Sequence, residues 1–316
     1  MTVAELNREE VVTTMPVFHR ILVAVDFSEA SRRALRLAAP LAADDVQMSV
    51  MHVLHADWRY EILENPPELN LEQSDAKHRL EAMVREFGPR SINTIVIKQG
   101  AVSRTILSVA ASEAADLLVI GTRGRGGLQK LALGSVAEEL LRLAPCPVMT
   151  IGPRTVTSAA LRTELRTILF ATDFGKGSAK ALPLVLQLAR QHHSKLIVLH
   201  MIPPIPATSA NLSGYPSTMA APDDLREWEG SFRNRSLQQL KEWMPSETRL
   251  SQEPEYIVGT EFLREGIFTA GARFNVDLIV MGANHTGSPR VAAHIPWTTV
   301  HEVVRDAPCP VLTVAG

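Results

Sequence analysis

The amino-acid sequence contains the same unit twice, one copy in each half of the chain. The first copy opens with RILVAVDFSEAS and closes with APCPVMTI, and the second opens with RTILFATDFGKGS and closes with APCPVLTV. Five landmark pairs recur in one order: Asp26 and Asp173, His52 and His200, Gly100 and Gly259, Gly121 and Gly282, Cys146 and Cys309. A tandem duplication predicts two copies of one fold, and each copy is an internal control for the other.

The repeat divides the 316 residues into two domains of ordinary size. We predict a first domain at 1–152, a linker at 153–163 and a second domain at 164–316. The linker prediction depends on Pro, Thr and Ser residues that show no hydrophobic periodicity. A domain of about 150 residues buries about 68–70% of the surface of its unfolded chain, so each half is large enough to bury its own core.

Composition argues against several classes of protein. The chain has 32 Lys and Arg residues against 34 Asp and Glu residues, so it lacks the positive excess that binding to nucleic acid demands. No apolar run approaches the ~20 residues of a membrane span, and the first twenty residues lack a signal-peptide core. We therefore expect a cytoplasmic protein with neither a nucleic-acid nor a membrane partner.

The chain has two cysteines, and each lies in the same APCPV segment. Two thiols at equivalent positions of a repeat are too few for a disulfide framework or a zinc site. We predict that each is a small buried residue at the start of a strand and has no redox role.

Each half alternates apolar runs with segments of helix length. The runs are ILVAV, VQMSVMHV, NTIVI, LLVI and PVMTI in the first half, and ILFAT, KLIVLHMI, EYIV, LIVM and PVLTV in the second. Runs without polar alternation predict strands buried on both faces, and strands that alternate with helices form parallel sheets with right-handed crossovers. We predict an α/β protein with two tandem five-stranded parallel-sheet domains, Rossmann-like, with helices on both faces.

The second copy carries a longer segment after its second strand. Between the paired histidine and the mid-domain glycine it is eleven residues longer, and the surplus falls in a Pro-, Ser- and Ala-rich stretch at 203–224. A tolerated surface insertion and a mobile lid are both compatible with this composition.

A glycine-rich loop follows the fourth strand of the first half and leads into a helix. Glycines let the backbone approach an anion closely and adopt positive φ, and a helix N-terminus favours negative charge. Arginine and lysine side chains add positive charge to the same loop. The residues in this pattern are Gly121, Arg123, Gly124, Arg125, Lys130, Gly134, Ser135 and Val136. The pattern indicates a phosphate-binding site.

The predicted sheet gives this loop two neighbours. In open α/β sheets, ligands bind beyond the carboxyl ends of the strands where the strand order reverses. Gly121 ends the fourth strand and Asp26 follows the first, so both line one crevice if these strands are adjacent. Val53, near the end of the second strand, would line its other end.

These segments resemble the universal stress protein family. The resemblance rests on ILVAVDFSEAS, MHV, the G-x2-G-x9-G-S loop and PCPVMTI, and it covers nearly the whole chain as two copies. It implies an adenine-nucleotide α-hydrolase-like fold that binds ATP, alone or with Mg²⁺. In that family the motif glycines and the following serine hold the phosphates and ribose, which here implicates Gly121, Gly124, Gly134 and Ser135.

The resemblance also assigns the base side of the site. It implies that Asp26 and Val53 lie beside adenine and ribose, with Ala24 as a small residue two positions before the aspartate. The complete predicted nucleotide-binding set is Ala24, Asp26, Val53, Gly121, Arg123, Gly124, Gly134, Ser135 and Val136. The resemblance further implies a homodimer, in addition to a pseudo-dimer of the two halves within the chain.

The second copy departs from the loop pattern. Gly282 remains, but His285 replaces the second glycine, and Trp297 and Thr298 fall opposite Gly134 and Ser135. A tryptophan at this turn would obstruct an amide cradle, so we predict that the second half binds nucleotide weakly or not at all.

Several candidate residues have an ordinary structural interpretation. Asp26 could cap the first helix, as Ser28 and Ser31 could, and we favour capping for Asp173. His52 and His200 are predicted to be hydrogen-bonded core histidines. Exposed charges are the alternative for Arg123 and Arg125. A metal cluster is disfavoured for His285, His294 and His301, because their spacing matches no compact metal motif.

Three functions compete on this evidence. The first is a nucleotide-responsive stress module that binds ATP in its first domain. The second is a slow ATPase or phosphoryl-transfer enzyme, although the chain has no G-x4-G-K-[ST] loop. The third is an assembly protein in which PVMTI and PVLTV pair edge to edge and ATP is incidental.

Overall fold

The protein is described here by a computed structural model. It covers residues 17–38, 41, 46–55, 67–88, 92–122, 133–155, 164–202, 222–245, 248–283 and 297–316.

Strands and helices alternate through the first half, as the apolar runs predict. The described elements are β1 Arg20–Ala24, α1 Glu29–Ala38, β2 Gln47–His55, α2 Pro67–Phe87, β3 Ile92–Gly100, α3 Val102–Ser112, β4 Leu117–Gly121, α4 Ser135–Leu143 and β5 Val148–Ile151.

The second half repeats this order. Its described elements are β6 Thr167–Ala171, α5 Lys176–Gln191, β7 Lys195–Met201, α6 Pro222–Trp243, β8 Glu255–Gly259, α7 Leu263–Arg273, β9 Leu278–Ala283, α8 Trp297–Asp306 and β10 Val311–Ala315.

All ten strands belong to one sheet with the order β3-β2-β1-β4-β5-β10-β9-β6-β7-β8. Within each half the neighbouring strands are parallel, which confirms the predicted fold class. The strand order reverses between β1 and β4, which lie side by side. The carboxyl ends of these two strands therefore meet at one crevice, as the sequence analysis requires.

The two halves join through an antiparallel pairing of their last strands. Met149 of β5 lies opposite Leu312 of β10. On either side, the Thr150 hydroxyl donates to the Val311 carbonyl at 3.1 Å, and the Thr313 hydroxyl donates to the Val148 carbonyl at 3.2 Å. This seam buries the edge that each five-stranded sheet would otherwise expose. Because the pairing is antiparallel, the carboxyl edges of the two halves point in opposite directions.

The helices α4 and α8 flank the seam on one face of the sheet. His301 Nε2 of α8 lies 3.9 Å from the Glu138 carboxylate of α4. When the strands β5 and β10 are aligned in the repeat, Glu138 and His301 occupy equivalent positions. The two helices thus contact each other around a pseudo-two-fold axis.

The apolar core lies in two layers, one on each face of the sheet. The first layer includes Phe18, Leu35 and Leu80 together with Phe170 and Leu240. The second includes Leu22, Leu118 and Leu140 together with Ile279 and Val303. Each layer therefore contains residues from both halves, whereas the sequence analysis expected a separate core for each half. The difference follows from the seam, which makes the two sheets continuous.

The cysteines lie at the starts of the strands that form the seam, and neither is in a disulfide. Burial, followed by the charge of Asp116, raises the pKa of the Cys146 thiol to about 11. Burial, followed by the charge of Asp277, raises the pKa of the Cys309 thiol to about 12. Both thiols are therefore protonated at neutral pH, which is unfavourable for redox chemistry.

Among the described helices, none combines the length and the apolar character needed to cross a bilayer.

Candidate functional site

The turn between β1 and α1 places Asp26 at the mouth of the crevice. The Ser28 N–H donates to Asp26 Oδ1 at 3.0 Å, and the Ser31 N–H donates to Ser28 Oγ at 3.2 Å. Ser28 is therefore the N-cap of α1, and Asp26 holds the preceding turn. Asp26 is half-buried, and within the described part of the chain its Oδ2 has no hydrogen-bond partner. One carboxylate oxygen accepts a hydrogen bond within the turn, and the other has no donor among the residues that the structure describes.

The same turn puts a phenylalanine in the left-handed region in both halves. Phe27 has φ 64° and Phe174 has φ 59°. Each ring packs 4.5 Å, between centroids, from the histidine of the neighbouring strand, His52 or His200. Because both copies keep this strained conformation, it belongs to the fold rather than to one ligand site.

The paired histidines fix the strand ends. The Nδ1–H of His52 donates to the Val25 carbonyl at 2.7 Å, and that of His200 donates to the Thr172 carbonyl at 2.9 Å. A carbonyl only accepts, so Nδ1 carries the proton in each ring. The predicted role of both as hydrogen-bonded structural histidines is confirmed.

Gly121 is explained by packing between β4 and α1. A Cβ at this position would lie 2.8 Å from backbone atoms of Ala30 and Ser31. In the second half a Cβ on Gly282 would lie 2.2 Å from the Ser178 nitrogen. The second copy keeps this glycine although its loop has diverged, because the helix must pass this close in both halves. Gly121 thus has a structural role whether or not it contacts a ligand.

Gly134 is the N-cap of α4, and no side chain caps this helix. Its φ is −65°, so the positive φ that glycine permits is not used here. Its own N–H donates to the Thr122 carbonyl at 3.2 Å. The sequence analysis counted the Gly134 amide in the phosphate cradle, but this hydrogen bond occupies it.

The amides that point away from α4 belong to the residues after Gly134. The first N–H groups of an α-helix have no partner within the helix. Ser135 is exposed and Val136 is half-buried, and their N–H groups have no partner within the described ranges. With the positive end of the helix dipole, these amides form a place where an anion is favoured.

Thr122 connects these parts and was not singled out from the sequence. It is 2% exposed, and both its N–H and its hydroxyl donate to the Ile151 carbonyl, at 3.0 and 3.3 Å. Its carbonyl accepts the Gly134 N–H. Thr122 thereby ties the start of α4 to the ends of β4 and β5. A polar residue directly after an apolar strand was the only available signal.

Ala24 and Val53 lie at the same edge of the sheet as Asp26. Ala24, the last residue of β1, lies opposite Met51 of β2 and Ile120 of β4. Ala24 is half-buried, and Val53 is buried in the core layer that also contains Ala137 of α4. These small and apolar side chains leave an apolar wall beside the Asp26 carboxylate.

Two residues of the predicted set, Arg123 and Gly124, lie outside the described residues, as do Arg125 and Lys130. The structure therefore brings together seven members of the set at one edge of the sheet: Ala24, Asp26, Val53, Gly121, Gly134, Ser135 and Val136.

The equivalent crevice of the second half is closed. Ala171 and Asp173, which correspond to Ala24 and Asp26, are 1% and 5% exposed. Asp173 Oδ1 accepts hydrogen bonds from the Ser178 hydroxyl at 2.6 Å and from the Gly175 N–H at 2.8 Å. This geometry agrees with the capping role favoured for Asp173.

In the second half a methionine packs against the end of β8 and the first turn of α7. Met201 stands where the first half has Val53, and its Sδ and Cε lie 2.6 Å from the position of a Cβ on Gly259. Its Cε lies 2.2 Å from the position of a Cβ on Gly266. The longer side chain is accommodated because these two neighbours are glycines.

Of the three histidines in the second half considered for metal binding, His285 and His294 lie outside the described residues. The third, His301, pairs with Glu138 across the seam.

Comparison with known proteins supports the duplication directly. The sequence profile of the universal stress protein family matches residues 18–152 and, a second time, residues 164–315. The chain belongs to the universal stress protein family. It contains two universal stress protein domains in tandem.

Individual relatives match one domain at a time. A universal stress protein of Thermus aquaticus is 35% identical over 139 residues, which are 43% of this chain and 99% of the relative. A universal stress protein of Methanocaldococcus jannaschii is 30% identical over 144 residues, which are 43% of this chain and 82% of the relative.

A solved structure matches both universal stress protein domains together. The universal stress protein of Archaeoglobus fulgidus superimposes with a TM-score of 0.59 over 94% of this chain and 98% of its own. Its sequence identity is 20%, so this match concerns the fold alone.

Proposed function

We propose that this universal stress protein is a cytoplasmic nucleotide-binding module that binds ATP in its first half and changes shape or partners with the ligand. The observation that carries the proposal is the contrast between the two halves. Ala24, Asp26 and Gly121 are half-exposed, whereas their counterparts in the second half are buried. Only the first half combines an accessible crevice with the intact glycine-serine motif.

The chemistry of the first crevice suits an adenine nucleotide. Ala24 and Val53 offer an apolar wall to a flat base, and Asp26 Oδ2 is an acceptor for a base or ribose donor. At the other end, the amides of Ser135 and Val136 and the dipole of α4 favour phosphate oxygens. Arg123, Gly124 and Gly121 complete the proposed binding set with Gly134, and Mg²⁺ could accompany the triphosphate as its counter-ion.

The second half is proposed to bind no nucleotide. Its aspartate is already hydrogen-bonded to Ser178, and Met201 occupies space beside β8. Opening this crevice would break a buried charge-assisted hydrogen bond, which typically contributes about 1.5–3 kcal/mol.

The test uses the purified full chain. The protein is denatured and released small molecules are identified by mass spectrometry, and fresh protein is then titrated with ATP, adenosine and GTP by calorimetry. We expect co-purified or titratable ATP and weaker binding of GTP. Absence of any nucleotide binding across these arms would refute the proposal.

The same preparation distinguishes binding from catalysis. Incubation with ATP and Mg²⁺ is followed by measuring ADP. Bound ATP with negligible ADP supports the module, whereas steady ADP release supports a slow ATPase or phosphoryl-transfer enzyme.

The seam favours one alternative, in which the duplication serves assembly and nucleotide is incidental. The ten-stranded sheet and its paired threonine hydrogen bonds are independent of any ligand. We propose separately that two chains associate into a homodimer. Sedimentation of the full chain with and without ATP measures it, and an unchanged state favours the assembly function.

A further inference from the structure

A cluster of three arginines surrounds one carboxylate at the end of α8. Asp306, whose side chain is 10% exposed, lies 2.7 Å from Arg305, 3.4 Å from Arg264 and 3.6 Å from Arg154. Burial alone would raise the pKa of Asp306, but the hydrogen bond from Arg305 and the charges of the three arginines lower it. Arg264 also pairs with Glu265. The charge of Glu302 also acts on Arg305, so three guanidinium groups are balanced by three carboxylates in this cluster.

This cluster lies at the same sheet edge as the start of α4. Gly134 is hydrogen-bonded to Thr122, and Thr122 is hydrogen-bonded to Ile151. At the next residue, a Cβ on Gly152 would lie 3.3 Å from the Val304 carbonyl in the last turn of α8. Two hydrogen bonds and the close approach of Gly152 to α8 therefore connect the start of α4 to the last turn of α8.

The contact between α4 and α8 supports the same relative position of the start of α4 and the end of α8. α4 and α8 flank an antiparallel seam, and Glu138 meets His301 about one turn from the start of α4 and about one turn from the end of α8. The N-terminus of α4, whose first amides have no partner within the described ranges, therefore lies at the same sheet edge as the C-terminal turn of α8 and its arginines.

The repeat provides a control for this feature. When β5 and β10 are aligned, the position of Asp306 in the first copy is Leu143, which is 57% exposed. Leu143 ends α4 at the opposite sheet edge, beside the start of α8, where the loop motif is degenerate. Asp306, which contacts three arginines, thus lies beside the intact motif, whereas the apolar Leu143 lies beside the degenerate one.

Arg154 is the member of the cluster best placed to reach a ligand. Its side chain is 64% exposed, compared with 34% for Arg264 and 24% for Arg305. The backbone on either side is fixed, because Arg33 donates to the carbonyls of Pro153 and Thr155. The backbone around Arg154 is therefore anchored, while most of its side chain is exposed to solvent.

We propose that Arg154 donates hydrogen bonds to the terminal phosphates of the nucleotide bound at α4, and that Asp306 of the second half positions it. This inference rests on the proposed function. A planar guanidinium matches phosphate oxygens in a bidentate geometry, which a lysine cannot reproduce. The second half, which lacks an open crevice, would thereby complete the site of the first.

The experiment compares ATP and adenosine binding to the full chain by calorimetry. The variants are Arg154→Ala, Arg154→Lys and Asp306→Asn, and the control is Arg85→Ala, an exposed arginine at the far end of α2. Loss of one charge-assisted contact predicts about tenfold weaker ATP binding for Arg154→Ala. Adenosine binding should be unchanged, and Arg154→Lys and Asp306→Asn should lie between Arg154→Ala and the unmodified protein.

The outcomes separate this inference from the proposed function. If the unmodified protein binds neither ligand, the proposed function fails. If it binds ATP and Arg154→Ala binds it equally well, or loses ATP and adenosine alike, the role of Arg154 is refuted. An equal loss in Arg85→Ala would also refute it, because the effect would then be one of general charge.

Discussion

Gly121 and Gly282 show how one residue position can be retained for packing while its neighbourhood diverges. Both end the fourth strand of their half, and both let the first helix approach to within van der Waals distance of the strand backbone. A motif glycine is thus not by itself evidence of a ligand. Among the motif glycines that the structure describes, the one that separates the halves is Gly134, whose counterpart is Trp297.

Alanine at either strand end should destabilise the protein. In Gly121→Ala and Gly282→Ala the new Cβ meets backbone, which cannot move aside without shifting α1 or α5. Overpacking of this kind costs about 1–3 kcal/mol of the free energy of unfolding. Urea unfolding measures it.

The matched control for these variants is Gly271→Ala in α7, where a Cβ would have no atom within 4 Å. Alanine in a helix is favoured over glycine by up to about 1 kcal/mol, so this variant should be as stable as the parent or more so. Equal destabilisation at all three positions would contradict the packing argument.

His200 predicts a dependence of stability on pH. Burial lowers its pKa below 6.5, against smaller raising effects from the Thr172 carbonyl and Asp173. Below pH 6.5 the unfolded chain takes up the proton first, so the free energy of unfolding should fall as the pH drops and should be fully restored above 6.5.

The measurement for His200 is urea unfolding between pH 5.5 and 7.5 in the parent and in His200→Gln. His192 has a pKa that is lowered by burial too, so a residual slope is expected in the variant. A slope identical to that of the parent would mean that His200 does not contribute.

At the scale of elements, α4 is the helix on which the proposed site depends. It begins without a side-chain cap, and Gly134, which precedes the exposed Ser135, is hydrogen-bonded to Thr122 at the end of β4. Close backbone contacts connect β4 with α1 and with the start of α4.

An aspartate at the N-cap of α4 should separate stability from binding. Aspartate is a strong N-cap residue, so the Gly134→Asp side chain should accept the amides that a phosphate would need and place a negative charge there. We expect at least tenfold weaker ATP binding with a free energy of unfolding equal to that of the parent or higher.

The control is Gly134→Ala, which adds a Cβ about 3.3 Å from the Thr122 carbonyl without adding a charge. It should retain most ATP binding. If alanine and aspartate weaken ATP binding equally, the loss is steric and the amide argument fails.

At the scale of the whole molecule, the contrast between the crevices sets the stoichiometry. We expect one ATP per chain by calorimetry, because Asp173 is hydrogen-bonded within the second half and both Ala171 and Asp173 are buried. Gly134→Asp should lower the occupancy of this single site at ATP concentrations that just saturate the parent. Two sites per chain would contradict the closed state of the second half.

Much of this architecture follows from the sequence. Buried apolar runs such as ILVAV and LLVI specify parallel strands because periodicity depends only on neighbouring residues, and the APCPV repeats locate the edges that meet at the seam. The continuity of the core across the seam could not be predicted, since it depends on side chains from Phe18 and Phe170 packing in one layer.

The site was predicted in outline but not in its detailed hydrogen bonding. The motif located Gly134 and Ser135, yet the hydrogen bond from Gly134 to Thr122 is a contact between distant segments that no local pattern reports. The hydrogen bond from the Ser178 hydroxyl to Asp173 is likewise not visible in any local pattern. The same is true of the packing of Met201, which depends on two glycines in other elements.

The seam between β5 and β10 also changes what substitution can do. In an assembly of two identical chains, every change at the shared axis is made twice, so an acid must face an acid and a base must face a base. Covalent fusion removes that obligation, and here Glu138 faces His301. Equivalent positions on the two sides of the axis can then carry different residues. The two halves of one chain can therefore differ in their chemistry, which two identical chains cannot.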